Sequence, residues 1–362
     1  MAEPLETRNF FPALQRNVTP TASGSEVVSY TSDLGNGGPI LTLIHGYPQS
    51  AFIWRHLVPL LQPKVSLFIP ELPGYGISTP ISAGTGDHTK RAVGRALLDA
   101  LSQVFGTNTS SSSSSPRPII LAGHDRGARI CHRLAVDASP SSHPENNNFF
   151  SALNLSVQGV IMLDILPTKS QWDLFSSPSV SQGYFHWPLL ANVELAVPMI
   201  QAFGVGNWVR GGHLRLAGSA TDSTARIMSD DAVEVHVKLF EREGTVRWTC
   251  EDYKAGAQRE VDEQVEDLKE GRRVEVDALV MFSREKLGRG GGLDVEGVWR
   301  GTVTVDGKQG GKEECKVGDK WVGDGMELEV VGVEGGRGHY LPEEAYDVVG
   351  ERVVRFLEKL GL

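Results

Sequence analysis

Cysteine is scarce in this chain: Cys131, Cys250 and Cys315 are the only 3 in 362 residues, far apart and without a C-x-x-C pair. An odd, scattered set builds neither a disulfide framework nor a zinc site, so a reducing compartment and no metal are expected. Basic residues are not in excess either. Lys and Arg number 35 against 45 Asp and Glu, a net charge of -10, which is the wrong sign for a nucleic-acid surface. No apolar run is long enough to span a bilayer, and the opening Met1-Ala-Glu-Pro-Leu-Glu-Thr-Arg lacks a basic segment followed by an apolar one. The expectation is a soluble, cytoplasmic protein whose partner is a small molecule rather than nucleic acid or membrane.

What the chain does have is a hydrophobic content of 40%, ample for a sizeable core. Short, non-alternating apolar runs at 40–45, 65–70, 118–123, 157–165 and 278–282 read as strands covered on both faces, as in a parallel sheet. Helical patterns at 89–105 and 128–136 lie between them, which predicts an α/β fold with right-handed crossovers. From 167 to 269 the rhythm breaks into helical stretches such as 229–240 and 260–268. The division expected is a core over 1–166, a helical cap over 167–269 and the rest of the core over 270–362, closed by an amphipathic helix at 342–360. The serine run at 107–115 and the polar segment at 139–148 read as flexible surface loops. The Gly/Lys/Glu-rich stretch 301–325 reads as a small hairpin or a long loop.

One junction stands out. The run 118–122 leads into G-H-D-R-G-A-R at 123–129 and then into a helical pattern. Strand, G-x-D-x-G, helix is the nucleophile-elbow pattern, with Asp125 where many such elbows hold Ser. The competing reading is an Asp that caps the helix. His45-Gly46-Tyr47, after the first strong strand, forms a loop whose backbone N–H groups can face an oxyanion or halide. His339, in the loop before the last helix, stands where the elbow pattern requires its base. Asp164, at the end of the fourth of these strands, is the choice for the acid that orients the imidazole, and Asp294 is the runner-up. Either acid can instead cap a helix.

These segments make the chain resemble the α/β-hydrolase superfamily and, within it, the fluoroacetate (haloacetate) dehalogenase family. The resemblance runs in order through H-G-Y-P-Q-S at 45–50, P-G-Y-G at 73–76, H-T-K-R-A at 88–92, G-H-D-R-G-A-R at 123–129 and L-D-I-L-P-T at 163–168. It continues with F-H-W at 185–187, C-E-D-Y-K-A-G-A at 250–257 and G-H-Y-L-P-E-E-A at 338–345. It implies an α/β-hydrolase fold with an inserted helical cap, no cofactor and a homodimer. It further implies Asp125 as nucleophile, Asp164 as triad acid and His339 as general base. Arg126 and Arg129 would bind the substrate carboxylate, while His186, Trp187 and Tyr253 would hold the departing halide. The implied activity is hydrolytic dehalogenation of a short 2-haloacid to a 2-hydroxy acid.

Two departures bear on substrate. Pro188-Leu-Leu replaces a more aromatic run, and Glu71 stands where the family usually has Asp. Three alternatives remain at this point. Epoxide hydrolysis would recruit Tyr184 and Tyr253 as ring-opening phenols, although Arg126 suits a carboxylate better than a neutral epoxide. The others are hydrolysis of another small metabolite in specialised metabolism and a ligand-binding protein without turnover.

Overall fold

A computed structural model describes residues 4–35, 37–82, 88–107, 115–289, 292–306, 312–316 and 319–361. The strands are β1 (Gln15–Pro20), β2 (Glu26–Ser32), β3 (Ile40–Thr42), β4 (Ser66–Pro70), β5 (Arg117–His124), β6 (Leu155–Leu163), β7 (Asp277–Ser283), β8 (Thr302–Asp306), β9 (Lys312–Lys316) and β10 (Leu328–Val333). Eight of them form one sheet in the order β1-β2-β4-β3-β5-β6-β7-β10. The pairings among β4, β3, β5, β6, β7 and β10 are all parallel, whereas β1 and β2 join antiparallel at one edge. Along β5, Ile119 and Leu121 point into one core while Ile120 and Ala122 point into the other, as the period of a strand requires. Helices Lys90–Phe105 and Arg126–Asp137 cover the first face, and Tyr346–Lys359 covers the second.

Local chemistry fixes these elements. In helix Lys90–Phe105 the Thr89 side chain accepts the Ala92 N–H, and Gly106 ends the helix at φ 64°, a left-handed conformation that glycine adopts without strain. Register then aligns the carboxyl ends of the central strands: His124 pairs with Leu163, and Leu163 with Met281. Residues that follow these strands therefore meet at one edge of the sheet, where open α/β sheets place their ligands.

The buried strands lie where the apolar runs put them, but β1, β2 and β10 were not among them. β1 is Gln-Arg-Asn-Val-Thr-Pro at an exposed edge, and such a strand needs no apolar run. The expected loop at 139–148 is also corrected: helix Pro144–Ala152 begins inside it. Buried Asn146 donates to Ser142 Oγ at 2.9 Å and to Asp137 Oδ1 at 3.2 Å, and accepts from Arg95 at 2.7 Å. Tertiary hydrogen bonds override the polar composition there. The serine run lies, at 108–114, outside the described residues. In the Gly-rich stretch β8 and β9 pair as an antiparallel hairpin, Trp321 is buried, and Val322 bridges to Val274; residues 307–311 and 317–318 lie outside the description.

Between Thr168 and Lys269 the described chain is helical and contributes no strand. The helices used below are His186–Ala191, Val205–Leu216 and Thr245–Ala257. No helix of the described residues is long and apolar enough to cross a membrane.

Candidate active site

The turn from β5 into helix Arg126–Asp137 holds Asp125 at φ 48°, ψ -116°, a strained conformation for a non-glycine residue. Glycines make the turn possible. A Cβ on Gly127 would lie 2.1 Å from the Ile44 carbonyl oxygen, and one on Gly123 would lie 2.5 Å from the Gly127 backbone. The Asp125 side chain makes no capping bond to the helix. Its Oδ2 accepts the Tyr47 N–H at 2.9 Å instead. Burial would raise its pKa, but His339, His124, Arg126 and the Tyr47 N–H outweigh burial and lower it, so the carboxylate is ionised at neutral pH.

His339 stands in the loop between β10 and the last helices, with its Nδ1 2.6 Å from Asp164 Oδ2. Asp164 follows β6 at φ 55° and accepts the Ser283 N–H at 2.7 Å through Oδ1. Of the two acids that sequence left open, Asp164 therefore meets the imidazole. Asp294 caps helix Val295–Arg300, accepting the Gly297 N–H at 2.8 Å. Burial alone would lower the His339 pKa, but the hydrogen bond and charge of Asp164, joined by Asp125, raise it above its ordinary 6.5.

Asp125 and His339 line one cavity of about 210 Å³ together with His186, Tyr253 and Tyr47. Its outer wall, formed by Phe185, Phe203, Trp208 and Leu216, is apolar, and Arg215 joins that wall. His45 and Gly46 do not line the cavity. The His45 ring turns to Leu72, whose N–H it accepts at 3.0 Å, while Gly46 passes against Asp125, where a Cβ would lie 2.6 Å from Asp125 Cβ.

Arg126, Arg129 and Trp187 lie beside the cavity rather than among its lining residues. The two arginines face different surroundings. Arg126 Nε donates to Asp252 Oδ2 at 2.6 Å, and its guanidinium sits 4.1 Å from the Tyr253 ring centroid. Lys90 also binds Asp252. Burial would raise the Asp252 pKa, yet Arg126 and Lys90 hold it down at about 2. Arg129 has no ion pair among the described residues. It donates to Leu166 O at 2.9 Å and Thr168 Oγ1 at 3.1 Å, Nε has no partner, and the guanidinium packs 4.5 Å from the Trp187 ring. Burial, then the charge of Arg126, pushes its pKa down to about 10. A buried cation of this kind is costly unless an anion joins it.

Sequence reasoning missed Tyr340, Trp208 and Arg215. Tyr340 is buried, stacks 4.8 Å from His213 and has an unpartnered hydroxyl, and Trp208 donates to Tyr47 Oη at 2.5 Å. Tyr340 had a signal, since it adjoins His339; Arg215 and Trp208 had none, because a long helix brings them to the cavity. Among the described residues no group of three or more His, Cys, Asp or Glu is placed to hold a metal.

The chain is similar to known proteins over most of its length. A fluoroacetate dehalogenase from Burkholderia sp is 28% identical over 247 residues, 68% of this chain and 71% of that protein. A soluble epoxide hydrolase from Corynebacterium sp. is 22% identical over 331 residues, 90% of this chain and 92% of that one. In structure, a candidate alpha/beta hydrolase from Nostoc superimposes with a TM-score of 0.71 at 24% identity, covering 96% of this chain and 99% of the other. The model of the alpha/beta hydrolase family matches residues 43–276, from the end of β3 to the start of β7, and so takes in both the elbow and Asp164. With the sheet order and the elbow geometry, that match establishes that this chain belongs to the alpha/beta hydrolase family and is a hydrolase.

Proposed function

We propose that the hydrolase works through Asp125 as a nucleophile and that it dehalogenates a short 2-haloacid such as fluoroacetate. The observation that carries the first half is an ionised carboxylate at the elbow, sharing a cavity with an imidazole already oriented by a second carboxylate. Asp125 Oδ1 attacks the carbon that bears the halogen, and halide leaves with the bonding electrons. The ester that forms keeps its carbonyl oxygen, Oδ2, on the Tyr47 N–H, ready to stabilise an oxyanion. Water then attacks that carbonyl while His339 takes its proton; the Cγ–Oδ1 bond breaks, and the 2-hydroxy acid departs with the former Oδ1 and the proton that His339 returns. Asp125 is regenerated with one oxygen from water.

The acid is supported by Arg129, a buried cation with no carboxylate partner among the described residues, one helical turn from Asp125. With Arg126 it offers charge-assisted hydrogen bonds to a substrate carboxylate. His186, Trp187 and Tyr253 supply N–H and O–H donors for a strongly hydrated leaving ion. The similar Burkholderia protein is a fluoroacetate dehalogenase, which favours the same chemistry here.

Epoxide opening is the second reading. Its support is a pair of phenols, Tyr253 and Tyr340, both lining the cavity; Tyr184, considered earlier for the pair, is not a lining residue. Halide release from fluoroacetate and chloroacetate decides between the two. Wild type should release halide, Asp125→Asn should lose at least about 10³-fold in rate, and Arg129→Ala should lose about 10- to 100-fold in kcat/KM through weaker substrate binding. A folded wild type that releases no halide yet opens epoxides in an Asp125-dependent way supports the second reading. Neither activity would mean a hydrolase of another small metabolite or a protein that binds without turnover.

A further inference from the structure

The proposed leaving-group donors include His186, and an imidazole donates on its substrate side only if the proton is on the correct nitrogen. In this structure His186 Nδ1 lies 3.3 Å from Arg215 Nη2. A guanidinium has no acceptor, so at this contact Arg215 donates and Nδ1 accepts. The proton of a neutral ring must then reside on Nε2, which makes no hydrogen bond among the described residues.

Arg215 is well placed to impose this state. Its Nη1 donates to Gly183 O at 2.8 Å, and its guanidinium lies 5.2 Å from the Phe185 ring centroid. The side chain therefore clamps the segment that leads into His186 and crosses from helix Val205–Leu216 to do so. Both His186 and Arg215 line the cavity that holds Asp125. Burial, reinforced by the positive Arg215, pushes the His186 pKa down to about 3, so the ring is neutral at any pH of interest and its tautomer is the variable that matters.

We propose that Arg215 is a positioning residue for the departing ion: by donating to Nδ1 it holds His186 as the Nε2–H tautomer, with a donor rather than a lone pair offered to the leaving group. The inference rests on the dehalogenase reading for its catalytic consequence, though not for the tautomer itself. With the proton on Nδ1 instead, the Nε2 lone pair would repel a developing halide. The effect should be largest for fluoride, whose departure depends most on hydrogen-bond donors, and smaller for bromide, which leaves with less help.

The test uses the full chain labelled with ¹⁵N-histidine, and long-range ¹H–¹⁵N correlation reads the tautomer, with His186→Gln identifying the signal. Wild type should show Nε2–H. Arg215→Met should shift the ring to a mixture or to Nδ1–H, whereas Arg215→Gln, whose amide can still donate, should keep Nε2–H. In parallel, Arg215→Met should lower kcat for fluoroacetate about 10-fold, lower it less for bromoacetate and change KM by no more than about twofold, with Arg215→Gln recovering most of the loss. A wild-type Nδ1–H tautomer overturns the proposal, as does an unchanged tautomer in Arg215→Met with equal losses for both halides. If wild type releases no halide but the tautomers follow Arg215 as expected, the dehalogenase reading fails while the hold of Arg215 on His186 stands.

Discussion

His339 stands between two carboxylates with different tasks: Asp164 holds Nδ1, while Asp125 shares the cavity with the ring. Both charges raise its pKa above 6.5 against the opposing effect of burial. In the proposed mechanism His339 must be neutral to take a proton, so turnover should fall as pH drops through that raised value, while Asp125, with its pKa lowered, remains ionised. Asp164→Asn removes a cause of the raised value, so the acid limb of a kcat–pH profile should move to lower pH. Its plateau should also fall, by about 10²- to 10⁴-fold, because the imidazole loses its orientation. An acid limb that stays in place would show that another group controls it. At this scale the meeting of Asp125 and His339 in one cavity was legible, because the elbow pattern places its residues in a fixed chain order. Asp164 was preferred to Asp294 from its place in the chain alone, since both stand where helices can begin. Only the backbone path shows Asp294 spending its carboxylate on Gly297.

The elbow is an element in which strand, turn and helix pack without room for a side chain. Gly127→Ala would drive a methyl into the Ile44 carbonyl, 2.1 Å away, and should cost about 3 kcal/mol of stability in a urea unfolding experiment. Gly211 is the contrast. It sits inside helix Val205–Leu216, where an added methyl would meet nothing within 4 Å, so Gly211→Ala should stabilise by about 0.5–1 kcal/mol through the lower cost of ordering alanine. Equal effects at the two sites would mean that close approach is not what requires glycine at the elbow. The buried strands were legible as uninterrupted apolar runs, and the elbow as glycines at their junction with a helix. The edge strands β1 and β10 and helix Pro144–Ala152 were not, because edge pairing and side-chain hydrogen bonds leave no apolar period, and in β2 serine and threonine interrupt the buried run.

On the scale of the whole molecule, the helical insertion and the sheet are tied by a buried ion cluster. Arg126 and Lys90 come from helices that pack on the sheet; Asp252 and Glu260 come from the insertion. Asp252→Asn would leave buried Arg126 without a carboxylate partner and Lys90 with Glu260 alone, and the expected loss is about 3–5 kcal/mol by urea unfolding. A loss below about 1 kcal/mol would show that the cluster is well solvated and does not hold the two parts together. That residues 168–269 hold helices and no strand was legible from the interrupted strand–helix rhythm. How the insertion faces the sheet was not, because that depends on pairs such as Arg126 and Asp252, which stand in motifs far apart in sequence, neither of which marks their contact.

The insertion also bears on how the molecule comes together in time. β6 and β7 are neighbours, with Leu163 opposite Met281, yet the whole of 164–276 intervenes. Each doubling of such a connection adds only about 0.6 kcal/mol to the entropy of closing it, a small burden on the finished protein. The burden on speed is larger, since distant contacts must be found before they can be rewarded. We therefore expect β7 and β10 to dock late in refolding, after the strands that carry Asp125 and Asp164 have paired. Asp125 would then be in place before His339, and recovery of activity would lag behind recovery of the sheet.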